Sequence, residues 1–169
     1  MTETTAPRHA KLPFLLGICG VDGLPDTLGR FKPTHVISIR DPAADEIEFL
    51  PGVEVLHLAF HDVHRVDGMV GRMLARQRDP GIPGIDHADA ILRFGRQIPP
   101  KARVLVHCQA GFSRSPAAAF LIAARAMAGA ERRAFDLIKV LRPQCRPNRL
   151  IVGFGDKLLG AGGRMISCL

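Results

Sequence analysis

The sequence predicts an α/β domain in which a mostly parallel central sheet is flanked by helices. Three observations lead there. Short runs of β-formers recur at His35–Ile39, Val53–Leu58 and Val104–Val106, with turns and helical connections between them, the order expected of parallel strands joined by crossovers. Val104-Leu105-Val106 is unbroken apolar chain, the pattern of a strand buried on both faces. At 169 residues and 47% hydrophobic content the chain has apolar matter for one substantial core. One domain, 1–169, is expected, with a folded part of about 12–159 and tails at 1–10 and 160–169.

Taken in order, Leu12 to Ile18 reads as a first strand and Gly20 to Pro25 as a turn. Asp26 is an N-cap candidate for a short helix through Phe31. The second strand closes at Asp41-Pro42, and Asp45 to Leu50 reads as a helical turn. Pro51-Gly52 turns the chain into the third strand. From Ala59 to Gly84 the pattern is least regular, with a short helix expected over Met69 to Arg78. Asp86 then caps an amphipathic helix with the stripe Ala90, Ile91, Phe94 and Ile98, which Pro99-Pro100 ends. An alanine-rich helix starts near Ala117 and stops by Gly129. Glu131 to Leu141 is another helix, and Asn148 caps a last one toward Leu159, weakened by Gly153 and Gly155.

The chemistry concentrates between the buried strand and the alanine-rich helix. His107-Cys108-Gln109-Ala110-Gly111-Phe112-Ser113-Arg114-Ser115-Pro116 is a tight loop bracketed by a cysteine and an arginine. Ser115 is an N-cap candidate, with Pro116 at the first helical position. Loop amides plus a helix N-terminus form a site for an anion, and that field, with His107 beside it, favours thiolate over thiol at Cys108. Arg114 offers a planar fork for two oxygens. Gly111 permits a tight turn and a close approach of backbone to ligand. Ser113 and Ser115 bring hydroxyls near the sulfur. Against this stands the plain alternative of a buried strand-end cysteine beside a surface arginine, and a sulfurtransferase loop of the rhodanese kind.

The run His107-Cys108-x-x-Gly111-x-Ser113-Arg114-Ser115 resembles the signature of the cysteine-dependent protein tyrosine phosphatases, His-Cys-x5-Arg-Ser/Thr, in its dual-specificity form. Arg142-Pro143 followed by Pro147-Asn148 resembles the C-terminal Pro-Asn element of that branch, and the order of segments fits it from about Leu12 to Leu159. The resemblance implies a phosphoric monoester hydrolase acting on phosphotyrosine, with dual specificity as an extension, through a phosphocysteine intermediate on Cys108. Gln109, Ala110, Gly111, Phe112, Ser113 and Arg114 would bind phosphate, Ser115 would ease departure of the sulfur, and His107 would hold the loop. The general acid follows the third strand in that family, and Asp62 matches the position. Asp67 and Asp86 are the alternatives, since Met69 to Gly84 is longer than the family's usual connection. The same chemistry on a phosphoinositide, nucleotide or RNA phosphate, and a phosphate-binding module without turnover, are the other readings.

Composition narrows the partners. Lys+Arg 23 against Asp+Glu 16 gives +7, which favours anionic partners, phosphate esters first. No basic run with interleaved aromatics marks a nucleic-acid module, and no apolar stretch is long enough to span a membrane. Arg65, Arg72, Arg76 and Arg78 form either a rim for acidic substrate or a solvated basic face. His57, His61 and His64 hint at a metal, yet no ligand pattern completes them, so neither metal nor cofactor is expected. Leu12 to Cys19 imitates a short signal peptide but is broken by Pro13 and reads better as a strand. Four dispersed cysteines without a CxxC pair suit a reducing cytoplasm. Oligomeric state is open.

Overall fold

Four apolar runs become four six-residue strands: β1 (Leu15–Gly20), β2 (His35–Arg40), β3 (Glu54–Ala59) and β4 (Arg103–Cys108). The structure, a computed structural model, describes residues 11–69 and 81–169. All strand pairs are parallel and the spatial order is β1-β4-β2-β3. The last strand in sequence therefore lies between β1 and β2, which explains why Val104, Leu105 and Val106 are fully buried.

Alternation along the strands splits the core over two faces. Val36 and Leu105 point to the side covered by α1 (Leu24–Phe31), with Ile47, Phe49 and Val53 packed beside it. Ile37, Ile39, Val104 and Val106 point to the larger side, covered by α2 (Ile85–Gln97), α3 (Arg114–Ala126), α4 (Glu131–Leu141) and α5 (Arg149–Leu158). Helix α3 runs through the middle of that layer and every residue from Arg114 to Ala124 is buried. Small residues make this possible. A Cβ on Gly155 of α5 would sit 2.5 Å from Leu121, and one on Gly95 of α2 would sit 2.9 Å from Ile122. Gly155, which weakens helix propensity on paper, is thus the point where α5 closes on α3.

Several sequence expectations shift. The first strand begins at Leu15 rather than Leu12 and runs on to Gly20. Helix α1 is capped by Gly23 and α2 by Gly84, so Asp26 and Asp86 sit in first turns, where a carboxylate meets the positive end of the helix dipole, rather than at the caps. Residues 45–50 form no helical turn; they run irregularly and bury Ile47 and Phe49 against the sheet. The helix after the cysteine loop ends at Ala126, before Gly129. The segment from 160 onward is not a tail: Ala161, Met165 and Cys168 are buried, and Asp156 accepts hydrogen bonds from the amides of Gly163 and Met165. The helix expected over Met69 to Arg78 falls almost wholly outside the described residues, as do the 1–10 tail and Arg72, Arg76 and Arg78. Asn148 caps α5 as expected, its Oδ1 accepting from the Ile151 amide at 3.2 Å.

Candidate active site

The loop between β4 and α3 is shaped by where its carbonyls go. Gln109 O accepts from Val21 N at 3.0 Å, Phe112 O from Arg146 N at 2.7 Å, and Ser113 O from Asn148 N and Ala117 N at 3.1 Å each. Arg142 takes the two between: Nε donates to Gly111 O at 3.0 Å and Nη2 to Ala110 O at 3.3 Å. Five consecutive carbonyls face outward, so the amides between them turn toward the loop's centre. Among the described residues, the N–H groups of Ala110, Phe112 and Ser113 meet no protein acceptor. Together with the N-terminus of α3 they make a nest for an anion. Gly111, at φ +73, is required for a reason beyond the turn. A Cβ there would lie 2.6 Å from Gly20 N at the end of β1, so the loop also packs closely on the sheet at this point.

The sulfur lies at the floor of this nest. Cys108 Sγ is 3.2 Å from Ser115 Oγ and accepts from the Gly111 amide at 3.3 Å, and both cysteine and serine are buried. Helix α3 starts at Arg114 with Ser113 as N-cap, two residues before the expected start, so Arg114 and Ser115 belong to its first turn. Pro116 is then at the third helical position, where its missing N–H is still one of the four that a helix leaves unpaired.

Arg114 is 4% exposed and is held from one side only. Its Nη1 donates to Asp41 Oδ1 at 2.7 Å and to Phe60 O at 2.8 Å, while Nε is buried with no partner. A buried guanidinium donor without an acceptor is costly unless a ligand supplies one. Asp41 is positioned by its neighbour in turn: Arg40 Nη1 gathers the carbonyls of Asp41, Pro42 and Ala44, curling the chain after β2 back over the strand ends.

His107 faces the other side of the sheet from Cys108. Its Nε2 pairs with Ser38 Oγ at 2.9 Å, and its ring lies 5.9 Å from that of Phe49. Burial, with His57 adding to it, pulls its pKa down to about 4. It is neutral at physiological pH, and its bond to Ser38 fixes the strand end. Burial pushes the thiols of Cys19, Cys145 and Cys168 up, and all four cysteines are free.

Of the three candidate acids, Asp62 is the one brought to the loop. Its Oδ1 accepts from Ser113 Oγ at 2.5 Å and from Asn148 Nδ2 at 2.9 Å, with His64 Nε2 at 3.5 Å. Asp67 Oδ1 accepts from the Met69 amide, and Asp86 lies exposed in the first turn of α2. The three histidines go to different partners: His57 to Glu46 at 3.6 Å, His64 to Ser113 and Asp62, and His61 beside Gly81. Among the described residues no group of three or more His, Cys, Asp or Glu side chains is arranged to hold a metal ion.

Sequence reasoning missed the residues that hold the site from a distance. Asp41, the Phe60 carbonyl and Arg142 carry no motif of their own, and Asn148 was read only as a helix cap and part of the Pro-Asn element. Beside the loop opens a groove of about 1140 Å³, whose lining includes Phe112, Ser113, His64, Lys139, Arg146 and Arg149 and, among the described residues, no acidic side chain.

With strand order, nest and sulfur in view, the fold is defined: it is the fold seen in solved structures of dual-specificity phosphatases. Three comparisons are particular. The structure is similar to that of DUSP15, with TM-score 0.60 and 22% identity over 88% of this chain and 85% of that one. It is similar to the Yvh1 phosphatase domain from Chaetomium thermophilum, with TM-score 0.57 and 22% identity over 92% and 95%. The human tyrosine phosphatase-like serine/threonine/tyrosine-interacting protein matches with TM-score 0.51 and 24% identity over 85% and 87%. No protein-family model matches the sequence, and no curated protein matches it. Among the described residues no helix is long and apolar enough to cross a membrane.

Proposed function

We propose that this chain is a phosphoric monoester hydrolase that takes phosphotyrosine, and within a dual-specificity reading phosphoserine and phosphothreonine, on protein substrates. The observation that supports it most is a buried cysteine sulfur at the floor of a loop with unpaired amides, with Arg114 at the start of the following helix keeping a buried Nε unpartnered.

The steps follow from those groups. Cys108 thiolate attacks phosphorus in line with the leaving oxygen; the S–P bond forms as the P–O bond breaks. The nest amides and Arg114 stabilise charge on the equatorial oxygens. Asp62 gives its proton to the leaving oxygen, then as carboxylate takes one from the water that attacks the phosphocysteine. Water's oxygen joins phosphorus, the S–P bond breaks, and Ser115 donates to the departing sulfur. The basic groove beside Phe112 suits a polypeptide carrying acidic groups, which supports a phosphoprotein over a small metabolite.

The test is hydrolysis of an activated aryl phosphate without added metal. Turnover that Cys108→Ser abolishes is expected. Turnover that survives this change, or none in the unaltered chain, overturns the reading, the latter in favour of a phosphate-binding module.

A further inference from the structure

The proposed chemistry leaves one group at the site unused. His64 lies two residues beyond Asp62, its Nε2 3.0 Å from Ser113 Oγ and 3.5 Å from Asp62 Oδ1. Proton counting decides what that contact is. A serine hydroxyl has one proton, and Ser113 commits its own to Asp62 Oδ1 at 2.5 Å. Ser113 Oγ therefore accepts from His64, and His64 Nε2 must carry hydrogen. A directed chain results, from His64 N–H to Ser113 O–H to Asp62 Oδ1. Asn148 Nδ2 donates to the same oxygen at 2.9 Å and also to Val63 O at 3.0 Å. Every polar contact of Asp62 thus falls on Oδ1, and among the described residues Oδ2 has none.

We infer that His64 is a positioning residue for the general acid: by locking the Ser113 hydroxyl toward Asp62 Oδ1 it leaves Oδ2 as the oxygen that carries and delivers the proton. This rests on the phosphatase reading above. Without His64 the Ser113 hydroxyl loses the donor that orients it toward Asp62 Oδ1, and the carboxyl loses the bond that sets its plane. The effect is confined to steps that move a proton through Asp62. Attack of Cys108 on a substrate whose leaving group needs no proton does not pass through this chain.

The experiment measures the first turnover, the burst of released alcohol, for a phenyl phosphate and for a dinitrophenyl phosphate. His64→Ala is expected to slow the phenyl burst about tenfold to a hundredfold, a fraction of what general acid catalysis contributes. The dinitrophenyl burst should stay within about twofold, since its leaving group departs unprotonated. His64→Gln, whose amide nitrogen reaches the place of imidazole Nε2, should restore most of the phenyl burst. Equal losses on both substrates, no loss on either, or no rescue by Gln overturns the inference. A second readout does not need activity: ¹⁵N NMR of the imidazole should show hydrogen on His64 Nε2. A neutral ring protonated on Nδ1 alone overturns the chain whatever the kinetics, whereas no release of alcohol from either substrate by the unaltered protein sinks the phosphatase reading instead.

Discussion

The two halves of the site are held in different ways. The loop from Gln109 to Ser113 is fixed mainly through its main chain: five carbonyls are bonded outward, and Gly111 is pressed against the end of β1. The segment from Phe60 to His64 has main-chain bonds at Phe60 and His61, but its catalytic candidate is placed by side chains, Ser113, Asn148 and His64. A cradle built from backbone tolerates changes in its side chains. An acid built from side chains depends on each of them. The difference teaches where single substitutions should be selective for one step and where they should damage every step.

The largest break should come from Asp41→Asn. Asp41 touches Arg114 and none of the acid's partners, so the loss should be uniform over leaving groups. A displacement of a guanidinium by about 1 Å costs on the order of a hundredfold, and that is the fall in kcat/KM expected for both activated and poor substrates. A loss seen only with poor leaving groups would mean that Asp41 serves the acid after all.

A smaller effect sharpens the comparison from the loop side, through His107 at the strand end. Its pKa in the fold is about 4 against an ordinary 6.5. The unfolded chain takes up this proton below about pH 6.5 while the folded chain does not, so acid favours unfolding. The contribution is fully present above 6.5, declines as pH falls, and is lost by about pH 4, in total roughly 3 kcal/mol. Denaturant unfolding should therefore show about 1 kcal/mol less stability at pH ~5.5 than at neutrality from this group. An NMR titration of His107 with a midpoint near its ordinary value would remove the explanation.

The same contrast explains what the sequence reveals. The Cys108–Ser115 run is legible because strand, turn and helix N-terminus must occur in one contiguous stretch, and the residues that make the anion nest are the residues that spell it. The Glu131–Leu141 helix and the Asn148 cap are legible for the same local reason. Asp41 and Arg142 are not, since each acts across a long sequence separation on a group it meets only in the fold. The caps at Gly23 and Gly84 are hidden behind nearby aspartates, because glycine at an N-cap leaves no side-chain signal. His64 read as one of three clustered histidines, and only the proton direction along Ser113 distinguishes it from its neighbours.

The most direct test is to stop the reaction between its two steps. In Asp62→Asn an activated aryl phosphate still transfers its phosphoryl group to sulfur, but no base remains to activate water. Rapid acid quench followed by peptide mass spectrometry should find a phosphoryl adduct on Cys108, formed together with the burst of aryl alcohol. A burst with no adduct on Cys108, or an adduct on another residue, contradicts the account.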